Sequence, residues 1–161
     1  MQVGIILGSR SQWTIMQHTA ELLANLGIAY EARIITANKN SNRLHEYASK
    51  AVCRGLEIII TDSTGAARLR EIFSSKTEIP ILGVPVTSSD KQKISYDSSP
   101  CKNMDNPVDT LNTEPGDAVN AALFAASMLA KKHPHIRNNL INYRRQNNPG
   151  MVPQYNSRQF T

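Results

Sequence analysis

Four short strand-like runs, the first three each followed by turn residues and then a helical stripe, constrain this chain more than any other feature. The first run, Val3–Leu7, stops at Gly8 and is too short for a buried helix, so it reads as a buried strand. Trp13, Met16, Ala20, Leu23 and Leu26 follow at offsets that form one apolar helical face, and Gly27 is a natural stop. A second strand is expected over 30–36. Ser41 is placed to cap a second helix with Leu44, Tyr47, Ala48 and Val52 on its inner face and Gly55 at its end. A third strand over 57–61, a short helix over 66–73 and a fourth strand over 80–84 complete a βαβαβαβ alternation. That order implies a parallel sheet with helices on both faces and right-handed crossovers.

The pattern then changes. Residues 87–106 are polar and without period, and read as a loop. A weak fifth strand is expected over 107–111. The Ala-rich segment 117–130 is apolar on nearly every side, as helices buried all round are. In a chain of 161 residues that favours packing against other subunits. Pro134 can start a last helix with Ile136, Leu140 and Ile141 inward. One domain over 1–147 and a poorly ordered tail over 148–161 are expected.

Composition excludes some functions. No run approaches the roughly 20 apolar residues that cross a bilayer. The start MQVGIILGS has no basic region ahead of an apolar run and cleavage site, so a cytoplasmic location without membrane attachment is expected. Cys53 and Cys101 are too few for a disulfide framework and lack metal-ligand spacing. His18 and His45 fall on helices away from the loops, and His133 and His135 have no further ligand at helical spacing. No metal and no cofactor is expected. Residues 1–117 carry 12 Lys+Arg against 13 Asp+Glu, whereas residues 118–161 carry six basic residues and no acid. No aromatic residues interleave with Arg144 and Arg145, so nucleic acid is not the expected partner.

Ligands of open parallel sheets bind beyond the carboxyl ends of the strands. Here those ends carry Gly8, Ser9, Ser11 and Gln12; Thr36, Ala37, Lys39 and Ser41; and Asp62, Ser63 and Gly65. Hydroxyls and backbone N–H groups at helix starts, with a nearby lysine, suit a phosphate. The same residues also serve as ordinary helix caps, and the pattern leaves both readings open.

The segments GIILGSRSQWTIMQHTAELLANLGIAYEARIITA, GAARL, IPILGVPV and NAALFAASMLA resemble the PurE family, with a continuous register to about residue 145. The resemblance implies a flavodoxin-like three-layer α/β/α sandwich, a homo-octamer, and a C-terminal helix reaching a neighbouring subunit. It also implies N5-carboxyaminoimidazole ribonucleotide mutase chemistry. In that reaction a carbamate loses CO2 in a dry pocket, C4 of the imidazole recaptures it, and a histidine moves the protons.

At the chemical positions the chain departs from the family. The family motif S-A-H-R-T-P is here Thr36, Ala37, Asn38, Lys39, Asn40 and Ser41. The resemblance therefore puts Asn38 where the catalytic histidine stands, and an amide does not titrate near neutrality. Lys39 stands for a phosphate-binding arginine, keeping charge but losing the bidentate fork. In the family's glycine-rich loop two glycines become Asp62 and Thr64, and a second histidine becomes Arg68. An ion pair between Asp62 and Arg68 would fill ligand space. Gln12 replaces a ribose-binding aspartate, and Lys102, Asn103, Met104 and Asp105 replace the Met-Pro-x-Gly closing motif.

The resulting expectation is a divergent PurE-like protein without mutase activity. It would still bind a phosphorylated ribonucleotide-like ligand through Ser9, Ser11, Gln12, Thr36, Ala37, Lys39, Ser41, Ser63 and Gly65. Two alternatives stand beside it. One is an enzyme with altered carboxylation or decarboxylation chemistry using Lys39 or Arg68; the other is a non-enzymatic oligomeric scaffold or regulator.

Overall fold

A computed structural model describes residues 1–35, 41–62, 71–73, 75–84, 108–110 and 115–147. Its five strands are β1 (Val3–Leu7), β2 (Tyr30–Ile34), β3 (Ile58–Asp62), β4 (Ile81–Val84) and β5 (Val108–Thr110). They form one sheet in the order β2-β1-β3-β4-β5, with every neighbouring pair parallel. That order is the flavodoxin-like one, and its direction reverses between β1 and β3. Four helices are described over their length: α1 (Trp13–Asn25), α2 (Ser41–Ala51), α3 (Pro115–Leu129) and α4 (Pro134–Asn147).

Alternation along the strands sorts the core into two layers. Val3, Ile5, Leu7, Ile58, Ile60, Leu82 and Val84 face α1, α3 and α4. Ile6, Ile59 and Ile81 face α2 and Phe73. β1, β3 and β4 are buried at every residue, whereas β2 is exposed from Ala32 to Ile34, because it forms the sheet edge. The alanines Ala118, Ala121, Ala122, Ala125 and Ala126 are fully buried, and this small-residue face lets α3 lie close on α1. The Thr19 hydroxyl ties the two helices by donating to the Ala118 carbonyl at 2.7 Å.

Several local expectations need correction. Trp13 is 37% exposed instead of lying in the core, because it opens α1 beyond the carboxyl edge of the sheet. Val52 is 60% exposed, since α2 ends one residue earlier and Ala51 takes the inward position. β2 stops at Ile34, and β3 runs one residue further than expected, placing Asp62 inside the strand at 2% exposure. Ser41 is the first residue of α2 itself. Within one chain the Ala-rich helix keeps an apolar face open, with Phe124 exposed and Val119, Leu123 and Met128 half-buried. Gly27 and Gly55 do end helical segments, at φ +70° and +77°, values that side chains with a Cβ rarely adopt.

A polar tie closes the amino-terminal end of the sheet. Glu57 accepts from Lys132 at 3.0 Å and lies 2.7 Å from His133 Nε2, which fastens the α3–α4 turn ahead of β3. Burial raises the Glu57 carboxyl, but these two partners outweigh it and hold it below the usual range. His133 is thus accounted for as a structural contact.

Candidate functional site

The site expected at the carboxyl edge is described in part. Leaving β1, the chain passes through Gly8 and Ser9 into a single 3-10 turn, Arg10–Gln12, and then α1. Gln12 folds back so that its Oε1 accepts from Gly8 N at 2.7 Å and Ser9 N at 3.0 Å. The Ser9 and Ser11 hydroxyls lie 2.7 Å apart. A Cβ placed on Gly8 would meet Gln12 Oε1 at 3.6 Å and Asp62 Oδ2 at 3.7 Å. Gly8 therefore sits between the Gln12 carboxamide and a buried carboxylate, at the topological switch point where such sheets hold their ligands.

This arrangement has a chemical consequence. Two adjacent backbone N–H groups at a helix start form an anion site, and here a carboxamide oxygen of the same chain fills it. The two serine hydroxyls remain at the surface, and either can donate. Phosphate entering through these amides would displace Gln12.

Ser9, Ser11, Gln12 and Asp62 are thus brought together, as the strand ends suggested. Thr36, Ala37, Asn38, Lys39, Ser63, Gly65 and Arg68 lie outside the described residues, and so do the Asp62–Arg68 pairing and the segment 87–106. The Ser41 side chain and the tail 148–161 fall outside as well. Among the described residues no three His, Cys, Asp or Glu side chains converge as a metal site, and no helix is long and apolar enough to cross a membrane.

The structure also contains features the sequence reading missed. A groove of about 410 Å³ lies between Leu7, Arg10 and Trp13 on one side and Ala32, Arg33 and Ile34 on the other. It is mostly apolar and lies where the first turn of α1 meets the exposed end of β2. Thr61 Oγ1 is buried without a hydrogen-bond partner among the described residues, which is uncommon for a buried hydroxyl. On the opposite face of β2, Glu31 accepts from the Tyr47 hydroxyl at 2.8 Å and from Arg54, with Arg33 at 3.5 Å. Burial raises the Glu31 carboxyl, but the Tyr47 hydrogen bond and the Arg54 charge hold it below the usual range. Burial and the same carboxylate push the Tyr47 phenol upward. Glu31 two residues from Arg33 on one face of β2 was the available signal, but Tyr47 and Arg54 come from later elements of the chain.

Comparison with known proteins matches the fold over nearly its whole length. The AIR carboxylase family model matches residues 2–149. An N5-carboxyaminoimidazole ribonucleotide mutase of Pseudomonas aeruginosa is 43% identical over 143 residues, covering 88% of each chain. One of the same name from Vibrio cholerae is 37% identical over 148 residues, covering 89% of this chain and 90% of that one. A solved structure, Treponema denticola PurE, aligns with a TM-score of 0.73 at 23% identity, covering 91% of this chain and 90% of the other. At that identity the structural match speaks for the fold alone.

Proposed function

The chain belongs to the AIR carboxylase (PurE) family, and from that premise we propose that it binds a phosphorylated ribonucleotide-like ligand at the carboxyl edge without catalysing the family's mutase reaction. The carrying observation is the residue at the histidine position of the family motif, Asn38. Moving a carboxylate between N5 and C4 needs a proton taken up at one atom and released at another. General acid–base groups contribute about 10²–10⁴-fold to such steps, and an amide offers no titration near pH 7. The neighbouring substitutions point the same way: Gln12, Asp62, Thr64 and Arg68 occupy family ligand positions with different charge or bulk.

The serine hydroxyls support retained binding, since they lie 2.7 Å apart and remain at the surface of the carboxyl edge. Lys39 and Ser41 supply the second side of the phosphate site in this reading, with Thr36, Ala37, Ser63 and Gly65 lining it. We place one domain over 1–147 and assign self-association to the exposed face of α3, with an octamer as the expected size.

Retained mutase activity is the second reading, favoured by 43% identity to a protein named for it. One experiment separates the two. Conversion of N5-carboxyaminoimidazole ribonucleotide is measured for the wild type and for Asn38→His, with calorimetric titration of aminoimidazole ribonucleotide beside it. The proposal expects binding, no turnover in the wild type, and a measurable gain in the variant. Wild-type turnover at the rate of an active family member overturns it, and absence of any heat at millimolar ligand removes the binding half.

A further inference from the structure

The face of β2 opposite Trp13 carries a second, separate feature. A groove of about 300 Å³ is lined by Arg33, Arg43, Lys50 and Arg54, with Ile34 and Ile35 along one wall and Glu46 and Tyr47 along the α2 wall. It shares no residue with the carboxyl-edge site. That volume lies at the lower end of the range for small-molecule pockets.

Its charges do not cancel. Glu46 is taken up by Lys50 at 2.6 Å. Glu31, beneath the groove, is taken up by Arg54, Arg33 and the Tyr47 hydroxyl. Arg43 makes no ion pair among the described residues. Four cations thus face two carboxylates. Each guanidinium has five N–H donors in a planar fork, so Arg33 and Arg54 keep donors beyond those spent on Glu31. The floor is also fixed: Glu31 holds the Tyr47 hydroxyl, the Arg54 guanidinium lies 5.0 Å from the Tyr47 ring centroid, and the ring packs on Phe73. A basic helix face made of flexible lysines would be a solvated surface. Here Arg54 is held over the Tyr47 ring and Arg33 is paired with Glu31, within a concave space.

We infer that this groove is a binding site for a small, multiply charged anion of the phosphate-ester or diphosphate class. The arginines match such a ligand because guanidinium forks pair bidentately with phosphate oxygens. Ile34 and Ile35 add an apolar wall that suits an organic ester over a bare ion.

The probe is inorganic pyrophosphate, titrated calorimetrically into the full chain at fixed ionic strength. Saturable binding of one pyrophosphate per chain at this groove is expected. Arg43→Gln, on the exposed face of α2, should weaken it about tenfold, the loss of one good charged contact. The double variant Ser9→Ala, Ser11→Ala removes any binding event at the carboxyl edge and should leave in place the event that Arg43→Gln weakens. Circular dichroism of each variant shows that the fold is intact. No saturable binding tighter than about 1 mM overturns the inference. Unchanged affinity in Arg43→Gln overturns it too. Loss confined to the serine variant would assign pyrophosphate to the carboxyl-edge site, overturning this proposal and leaving the proposed function standing.

Discussion

Replacing Gly4 by alanine tests the polar floor beneath β2. A Cβ at Gly4 would lie 2.5 Å from the Tyr47 hydroxyl and 2.9 Å from Ile59 Cδ1, both too close to stand. The isoleucine methyl can turn aside, but the hydroxyl is held by Glu31 at 2.8 Å. Retracting it gives up a hydrogen bond to an ionised carboxylate, worth about 1.5–3 kcal/mol. Overpacking of a filled core adds about 1–3 kcal/mol. The less flexible unfolded chain returns about 0.4–1 kcal/mol. Gly4→Ala should therefore destabilise by about 2–5 kcal/mol, far beyond an ordinary glycine-to-alanine change. Tyr47→Phe alone should cost about 1.5–3 kcal/mol. It also removes the atom that blocks the new Cβ, so the two losses should fall short of additivity by at least about 1 kcal/mol. Urea unfolding of the four proteins at one protein concentration measures this cycle. The pH dependence supplies a second check. Folded Glu31 titrates below its unfolded value, so its stabilisation is present above the unfolded pKa of about 4.3 and fades as pH falls through the folded one. The Tyr47→Phe deficit should accordingly shrink below about pH 4. Additive losses, within about 0.5 kcal/mol, would refute the contact between Gly4 and a fixed hydroxyl.

Gln12→Ala should remove the carboxamide oxygen from the Gly8 and Ser9 amides, cost about 0.5–2 kcal/mol as lost helix caps do, and tighten binding of a phosphorylated ligand. Weaker binding, measured by calorimetry, would instead make Gln12 a ligand contact. Glu57→Gln should cost about 1 kcal/mol near neutral pH. Because folded Glu57 titrates below its unfolded value, that cost should vanish in acid, as thermal melts across pH 3–7 would show. Phe124→Arg places a charge on the exposed apolar face of α3 and should shift sedimentation toward smaller species; an unchanged coefficient would move the subunit contact elsewhere.

The parallel α/β architecture was legible because buried strands and amphipathic helices leave strong local periods. Ile58, Ile59 and Ile60 cannot all be inside unless both sheet faces are covered, and they are. Strand order was not legible in that way. Nothing in the run Tyr30–Ile34 states that it lies at an edge, and the exposure of Ala32 and Ile34 follows only from β1 pairing with β2 on one side and β3 on the other. Trp13 failed as a core residue for the same reason: its helical offset was right, but the sheet beneath it had run out. At the candidate site, Ser9, Ser11 and Asp62 were placed by topology alone. The Gln12 carboxamide closing back on Gly8 was hidden, because reach and rotamer, not spacing, decide whether such a side chain caps its own turn or meets a ligand.

The same topology accounts for why recognition chemistry gathers around one corner of the molecule. Each parallel strand delivers a loop to the carboxyl edge, so Gly8, Ser9 and Asp62 meet there whatever residues they carry. β2 adds a second source of exposed chemistry, since among the described residues only its β1 side is paired. Its Arg33 and Ile34 border a mostly apolar groove on one face and a cationic groove on the other. Substitutions at the strand ends leave the buried strands and the Ala-rich face of α3 untouched, because the side chains that hold the layers together lie further back along the strands. A chain of this fold can therefore exchange Gln12, ahead of α1 and outside both core layers, while those layers stay intact. In the proposed reading, Asn38→His tests the proton chemistry directly, with conversion of N5-carboxyaminoimidazole ribonucleotide as its readout.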